Sequence, residues 1–172
     1  WRMAQNQAIL KKLAAVETLG STTVICADKT GTLTMNQMTA REGWFAGNTF
    51  RVTGEGYGLD GRIEPLSGGD MRAYLLPMAL CNDSQVRDAT LIGDPTEGAL
   101  WVLAQKGGLS IDDERQRAPR IAEIPFDSAH KFMATFHRVG ENVEMHVKGA
   151  PGALLAYAAK WLTTHGEVAL DV

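Results

Sequence analysis

The period of apolar and polar positions changes several times along the chain. Over residues 5–16, Ile9, Leu13 and Val16 recur at helical spacing with Lys11 and Lys12 on the other side, predicting a helix that stops near Gly20. Residues 22–27 (TTVICA) are β-branched and apolar without alternation, the pattern of a strand buried on both faces of a parallel sheet. That run ends abruptly in the polar loop of residues 28–34. Residues 38–64 alternate short strand-like pieces, 39–45 and 49–53, with glycines at 43, 47, 54, 56, 58 and 61, which predicts hairpins. Ser67-Gly68-Gly69-Asp70 reads as a turn, with Asp70 a candidate cap for a helix over 71–82. Asp94 as cap, Pro95 in the first turn and Gly107-Gly108 as stop frame a helix over 95–106. A charged helical turn at 112–117 precedes strands at 120–126, 132–139 and 143–148, the last two joined as a hairpin through Gly140-Glu141-Asn142. Pro151 opens a final helix to about Leu162, and residues 167–170 begin another strand.

Two parts emerge. Residues 1 to about 36 look like helix, buried strand and loop from a parallel sheet, and a single strand lacks its partners. Residues from about 37 onward look like an α/β domain with an antiparallel sheet. The chain begins mid-pattern and reads as an excised piece. Seventeen basic and twenty acidic residues leave a net charge of −3, which offers no electrostatic case for nucleic acid. The longest apolar run, residues 73–81, is about half the ~20 residues a membrane helix needs and contains Pro77. Cys26 and Cys81 are too few for a disulfide framework, which favours a reducing, cytosolic setting. His130, His137, His146 and His165 show no metal-ligand spacing with either cysteine; His137 and His146 are placed to face each other across the hairpin.

Asp28 stands at the C-terminal end of the expected buried strand, where reacting groups gather in open α/β sheets. A carboxylate there can act as a nucleophile and form an acyl phosphate. Lys29 can offset phosphate charge, Thr30 to Thr34 supply hydroxyls and N–H groups, and Gly31 permits close backbone approach. A bare Asp-x-x-Gly would be read as an ordinary turn. The full string Asp28-Lys29-Thr30-Gly31-Thr32-Leu33-Thr34, however, resembles without a mismatch the phosphorylation signature of the P-type ion-pumping ATPases, and residues 16–22 and 35–38 resemble its type II, calcium-pump-like branch. The resemblance implies that Asp28 accepts the γ-phosphoryl of ATP, that Lys29 and Thr30 assist, and that Asp28 and Thr30 contact Mg²⁺ together with ligands outside this chain. Related phosphatases carry an acid two residues after the nucleophile; Thr30 cannot do that chemistry, so a longer-lived aspartyl-phosphate is expected.

Three further motifs resemble those of the family's nucleotide domain. Residues 93–100 (GDPTEGAL) place Glu97 to accept a hydrogen bond from the adenine amino group; read alone they are an Asp-capped helix start. Residues 125–133 (PFDSAHKFM) place Phe126 to stack on adenine and Lys131 to face the phosphates; read alone they are a core aromatic and a turn lysine, with Phe132 and Phe136 the better core candidates. Residues 145–151 (MHVKGAP) place Lys148 in the adenine pocket, with Gly149 allowing the ligand close; read alone Lys148 is a surface lysine at a strand exit.

The resemblance therefore implies an α/β (α+β) fold, an antiparallel β-sheet flanked by helices. Residues 37–172 would form the nucleotide-binding domain, and 1–36 a helix–strand stub of a Rossmann-like phosphorylation domain. The implied parent is an integral membrane cation pump with this portion on its cytosolic face. Its partners would be ATP or ADP and the remaining phosphorylation, actuator and transmembrane domains; its cofactors would be ATP and Mg²⁺. The isolated chain is expected to bind nucleotide with little or no turnover. A regulatory or interaction domain without nucleotide binding is the alternative.

Overall fold

The structure, a computed structural model, describes residues 2–6, 12, 14–64 and 71–170. The chain divides into two compact units, Trp1–Asn36 and Gln37–Val172. In the first, α1 (Arg2–Gln5) and α2 (Ala14–Gly20) are short. Half of the helix expected over 5–16 lies outside the described residues. Gly20 closes α2, and the last turn is capped by hydroxyls: Ser21 Oγ and Thr22 Oγ1 donate to the carbonyl of Thr18 at 3.0 and 3.1 Å. The strand expected at residues 22–27 does not form. The segment is exposed throughout, Ile25 to 86%, and has no ladder partner among the described residues. A strand needs neighbours for its N–H and C=O groups.

The second unit carries the fold. A hairpin joins β1 (Glu42–Phe45) to β2 (Asn48–Val52) through Ala46 and Gly47, both at positive φ, and β3 (Ile63–Glu64) adds to β2. The turn and cap expected at residues 67–70 lie outside the described residues. Next come α3 (Arg72–Leu80), α4 (Pro95–Lys106) and α5 (Ile111–Arg117). Between α3 and α4 stands a small hairpin, β4 (Gln85–Arg87) and β5 (Thr90–Ile92), turned by Asp88 and Ala89 at φ +49° and +56°. Two-residue hairpin turns favour glycine at these angles, and an alanine there hid the hairpin in the sequence.

An antiparallel meander follows: β6 (Arg120–Asp127), β7 (Phe132–Val139) and β8 (Asn142–Gly149). The α/β architecture with antiparallel sheets and flanking helices is as expected. The final helix is shorter than expected. It is α6 (Pro151–Leu155), after which β9 (Lys160–Thr163) and β10 (Gly166–Ala169) pair with Trp161 opposite Val168. Gly166, at φ +108°, and the Thr163 hydroxyl, which donates to its carbonyl at 2.8 Å, make the turn that returns the chain as a strand.

The core gathers Phe50, Val52 and Ile63 from the first sheet with Leu75, Ala79, Leu103 and Ile111 from the three helices. Gly107 stops α4 against α3 so closely that an added Cβ would lie 2.2 Å from Leu75 Cδ1. The Glu114 carboxylate, 4% exposed, takes both terminal nitrogens of Arg72 and one of Arg117, tying α3 to α5. The Arg72 hydrogen bonds, acting against burial, hold its pKa below the ordinary carboxylate value. A depressed carboxylate pKa adds stability above the unfolded value and loses it as pH falls. Glu114→Gln is therefore expected to lower stability by about 2 kcal/mol at pH 7 in urea unfolding, with the difference from wild type shrinking below about pH 4.5.

Candidate functional site

Asp94 starts α4 as the sequence pattern required. Its Oδ1 accepts from the backbone N–H of Thr96 at 2.8 Å and of Glu97 at 3.1 Å. The cap places Glu97 in the first turn, facing the residues that leave α3. There Asn82, 1% exposed, donates from Nδ2 to the carbonyls of Met78 (3.0 Å) and Glu97 (2.8 Å), and its Oδ1 accepts from Ser84 N–H at 2.9 Å. The resulting turn aims two donors at Glu97 Oε2: the Asp83 N–H at 3.0 Å and the Ser84 hydroxyl at 3.2 Å. That hydroxyl also lies 3.2 Å from the Asp94 carbonyl. Gly93, at φ +128°, lets the two chains approach; a Cβ there would fall 2.2 Å from Ser84 Oγ.

Glu97 Oε1 takes the ammonium of Lys148 from β8. The side chains are 14% and 20% exposed, so this pair is better shielded than a surface ion pair. Sequence reasoning treated Glu97 and Lys148 as separate contacts, whereas the fold joins them. A carboxylate offers about four acceptor positions; the three donors leave room for roughly one more.

Lys148 stands opposite Met133 on β7, and Gly149 opposite Phe132, which itself stands opposite Asp127 on β6. Phe126, one residue before Asp127, sits in a register shift between Ile124 and Asp127, where alternation does not assign it a face. Two strand spacings separate it from Lys148, about 10 Å. Its ring is 63% exposed, while Phe132 and Phe136 are partly buried. Lys131 closes the β6–β7 turn at φ +60°, exposed and without an ion-pair partner among the described residues. The space above Gly149 is taken by the chain itself: a Cβ would lie 2.4 Å from the Lys131 carbonyl and 2.6 Å from Phe132 Cβ. Packing against the hairpin therefore already requires this glycine.

In the other unit, Asp28 is exposed at the head of a wide turn, Lys29–Leu33. The Lys29 carbonyl accepts from Thr34 N–H at 3.0 Å and Thr34 Oγ1 at 3.2 Å, and Gly31, at φ +75°, supplies the left-handed step. Thr30 and Lys29 are also exposed. Among the described residues no three His, Cys, Asp or Glu side chains gather as a metal site. Nor is any helix long and apolar enough to cross a membrane.

His137 and His146 do face each other, with ring centroids 5.3 Å apart. His137 donates from Nδ1 to the Ala118 carbonyl at 2.8 Å, and its Nε2 lies 2.9 Å from the Thr135 hydroxyl. The buried Nε2 of His146 has no hydrogen-bond partner among the described residues, and Glu144 Oε2 is 3.8 Å away. Sequence reasoning missed Asn82, Asp83 and Ser84; their one signal is a polar run directly behind an apolar helix.

A model of the family P-type ATPase, cytoplasmic domain N, matches residues 70–172. The chain belongs to that family, as the motifs had implied. The cation-transporting ATPase pma1 of Synechocystis is 40% identical over 97% of this chain, the calcium-transporting ATPase 1 of Lactococcus lactis 41% over 89%, and the sodium/potassium-transporting ATPase subunit alpha-4 of Rattus norvegicus 36% over 99%. The chain covers 20%, 16% and 18% of those relatives' own lengths.

Asp94→Ala is expected to cost about 1 kcal/mol of stability in urea unfolding through loss of the cap. Burial pushes the pKa of both His137 and His146 down, and a charge on His137 would further oppose protonation of His146. A base with a depressed folded pKa leaves stability intact above the unfolded value and loses it as pH falls. Urea midpoints are therefore expected to hold above about pH 6.5 and decline below it, with a shallower decline in His146→Gln.

Proposed function

We propose that this chain is the ATP-binding portion of a membrane cation-transporting P-type ATPase, lying on the cytosolic face of the membrane. Residues 37–172 serve as the nucleotide-binding domain and 1–36 as the phosphorylation-site segment. The observation that carries this reading is the Glu97–Lys148 pair, fixed by the Asn82–Ser84 turn, in the unit that also exposes the ring of Phe126.

Glu97, with an acceptor position left over, takes the adenine amino group. Lys148 pairs with that carboxylate and lines the same pocket beside Gly149. Phe126 stacks on the base, a contact worth about 1–3 kcal/mol. Lys131, exposed and without an ion-pair partner among the described residues, meets the phosphates. Asp28 attacks the γ-phosphorus through a carboxylate oxygen: the new O–P bond makes an acyl phosphate, the bond to the β-phosphate oxygen breaks, and ADP leaves with its electron pair. Lys29 offsets the charge on the phosphoryl oxygens. The Asp28 carboxylate and Thr30 carbonyl are hard oxygen donors of the kind Mg²⁺ accepts, and ligands outside this chain complete its shell. When bound, that ion would neutralise phosphate charge. The remaining domains of the pump couple breakdown of the acyl phosphate to ion movement, and calcium suits the flanks of Asp28.

Titration of the chain with ATP, followed by backbone NMR, tests this reading. Saturable shifts are expected at Glu97, Phe126, Lys131 and Lys148, and Phe126→Ala is expected to weaken binding about 5- to 150-fold. Unmoved signals at millimolar ATP would overturn the site. Incubation with γ-labelled ATP and Mg²⁺ is expected to leave little or no hydroxylamine-labile label on Asp28 in this chain alone.

A further inference from the structure

A recess of about 290 Å³ opens beside the end of α3 and is lined by Leu80, Asn82, Asp83, Arg115, Arg120 and His137 among others. Two guanidinium groups converge there on one oxygen. Arg115 Nη2 and Arg120 Nη2 donate to the Asn82 carbonyl at 2.7 and 3.1 Å. Their situations differ. Arg120 is neutralised by Asp83 (2.6 Å) and Glu123 (2.8 Å), and its Nη2 also reaches the Leu80 carbonyl at 3.1 Å. Arg115 is partly buried, and among the described residues no carboxylate comes within ion-pair distance of it; Asp112, Asp83 and Glu97 act on it only from farther away. Burial and the neighbouring Arg120 charge both press its pKa down. His137 closes one wall, its Nδ1–H spent on the Ala118 carbonyl and its Nε2 facing the Thr135 hydroxyl.

A shielded cation with no carboxylate at ion-pair distance among the described residues, beside an open recess, matches an oxyanion in both charge and fork geometry. We propose that this recess binds a phosphate group, with Arg115 as its principal ligand. It lies on the sheet face that carries Lys148, but four residues along β7 from Met133 to His137, about 13 Å away. The two places are linked through one turn. The Asn82 carbonyl receives both arginines while its side chain holds the Glu97 carbonyl, and the next N–H, that of Asp83, holds Glu97 Oε2. Occupancy of the recess therefore stiffens the mount of Glu97.

The test is an NMR titration of the full chain with inorganic phosphate at pH 7.5 and constant ionic strength, with chloride as control, reading the Arg115 side-chain Nε–H and the amides of Asn82, Asp83 and His137. Saturable shifts are expected with phosphate and not with chloride. Arg115→Gln is expected to weaken them about tenfold or more, and Arg115→Lys, which keeps the charge and loses the fork, by less. Shifts that follow chloride equally, fail to saturate, or persist undiminished in both variants would overturn the proposal. Repeating the titration with saturating ATP separates the sources. Undiminished phosphate binding assigns the recess to free phosphate, and competition assigns it to the nucleotide's own phosphates. Failure here with intact ATP shifts at Phe126 would leave the nucleotide site standing.

Discussion

One buried polar residue holds the candidate site together. Asn82 leaves α3 with almost no exposure, so every polar atom it carries must be satisfied within the protein. Its amide nitrogen bonds Met78 and Glu97, its amide oxygen bonds Ser84, and its carbonyl collects Arg115 and Arg120. These bonds set the turn that presents the Asp83 N–H and Ser84 hydroxyl to Glu97. Removing one would leave a buried group unpaired, a larger penalty than the net worth of a single hydrogen bond.

The meander answers that turn from the other side. Register places Lys148 opposite Met133, and the Cys81 thiol lies 3.5 Å from the Met133 carbonyl, so α3 and the sheet meet close to the Glu97–Lys148 pair. Burial raises the Cys81 pKa, which keeps it a neutral thiol there. Gly149 keeps the end of β8 tight against the β6–β7 turn. The site thus rests on two rigid supports, a capped helix start and a strand end, rather than on a free loop.

Much of this was legible before any coordinates. The Asp94-Pro95 start and Gly107 stop of α4, the three meander strands and the exposure of Phe126 relative to Phe132 and Phe136 follow from local chemistry. The misses have a common cause. Residues 22–27 have the composition of a buried strand but pair with no neighbour among the described residues, and they stay irregular and exposed. The last helix yields to β9 and β10 because cross-strand pairing of Trp161 with Val168 is not visible to local propensity. The β4–β5 hairpin turns on Ala89 in a left-handed conformation that alanine seldom adopts.

By itself the sequence determined which groups are present and where they stand on their own elements: Asp28 at the head of a turn, Glu97 in the first turn of a helix, Lys148 at a strand end. These depend on neighbours a few residues away, and capping, periodicity and turn residues encode them locally. Only the tertiary structure decided what those groups do to one another. Glu97 meets Lys148 across 51 positions of chain, and Arg115 reaches Asn82 across 33. Such pairings are set by how α3, α4, α5 and the meander pack, through long-range burial that no local pattern records.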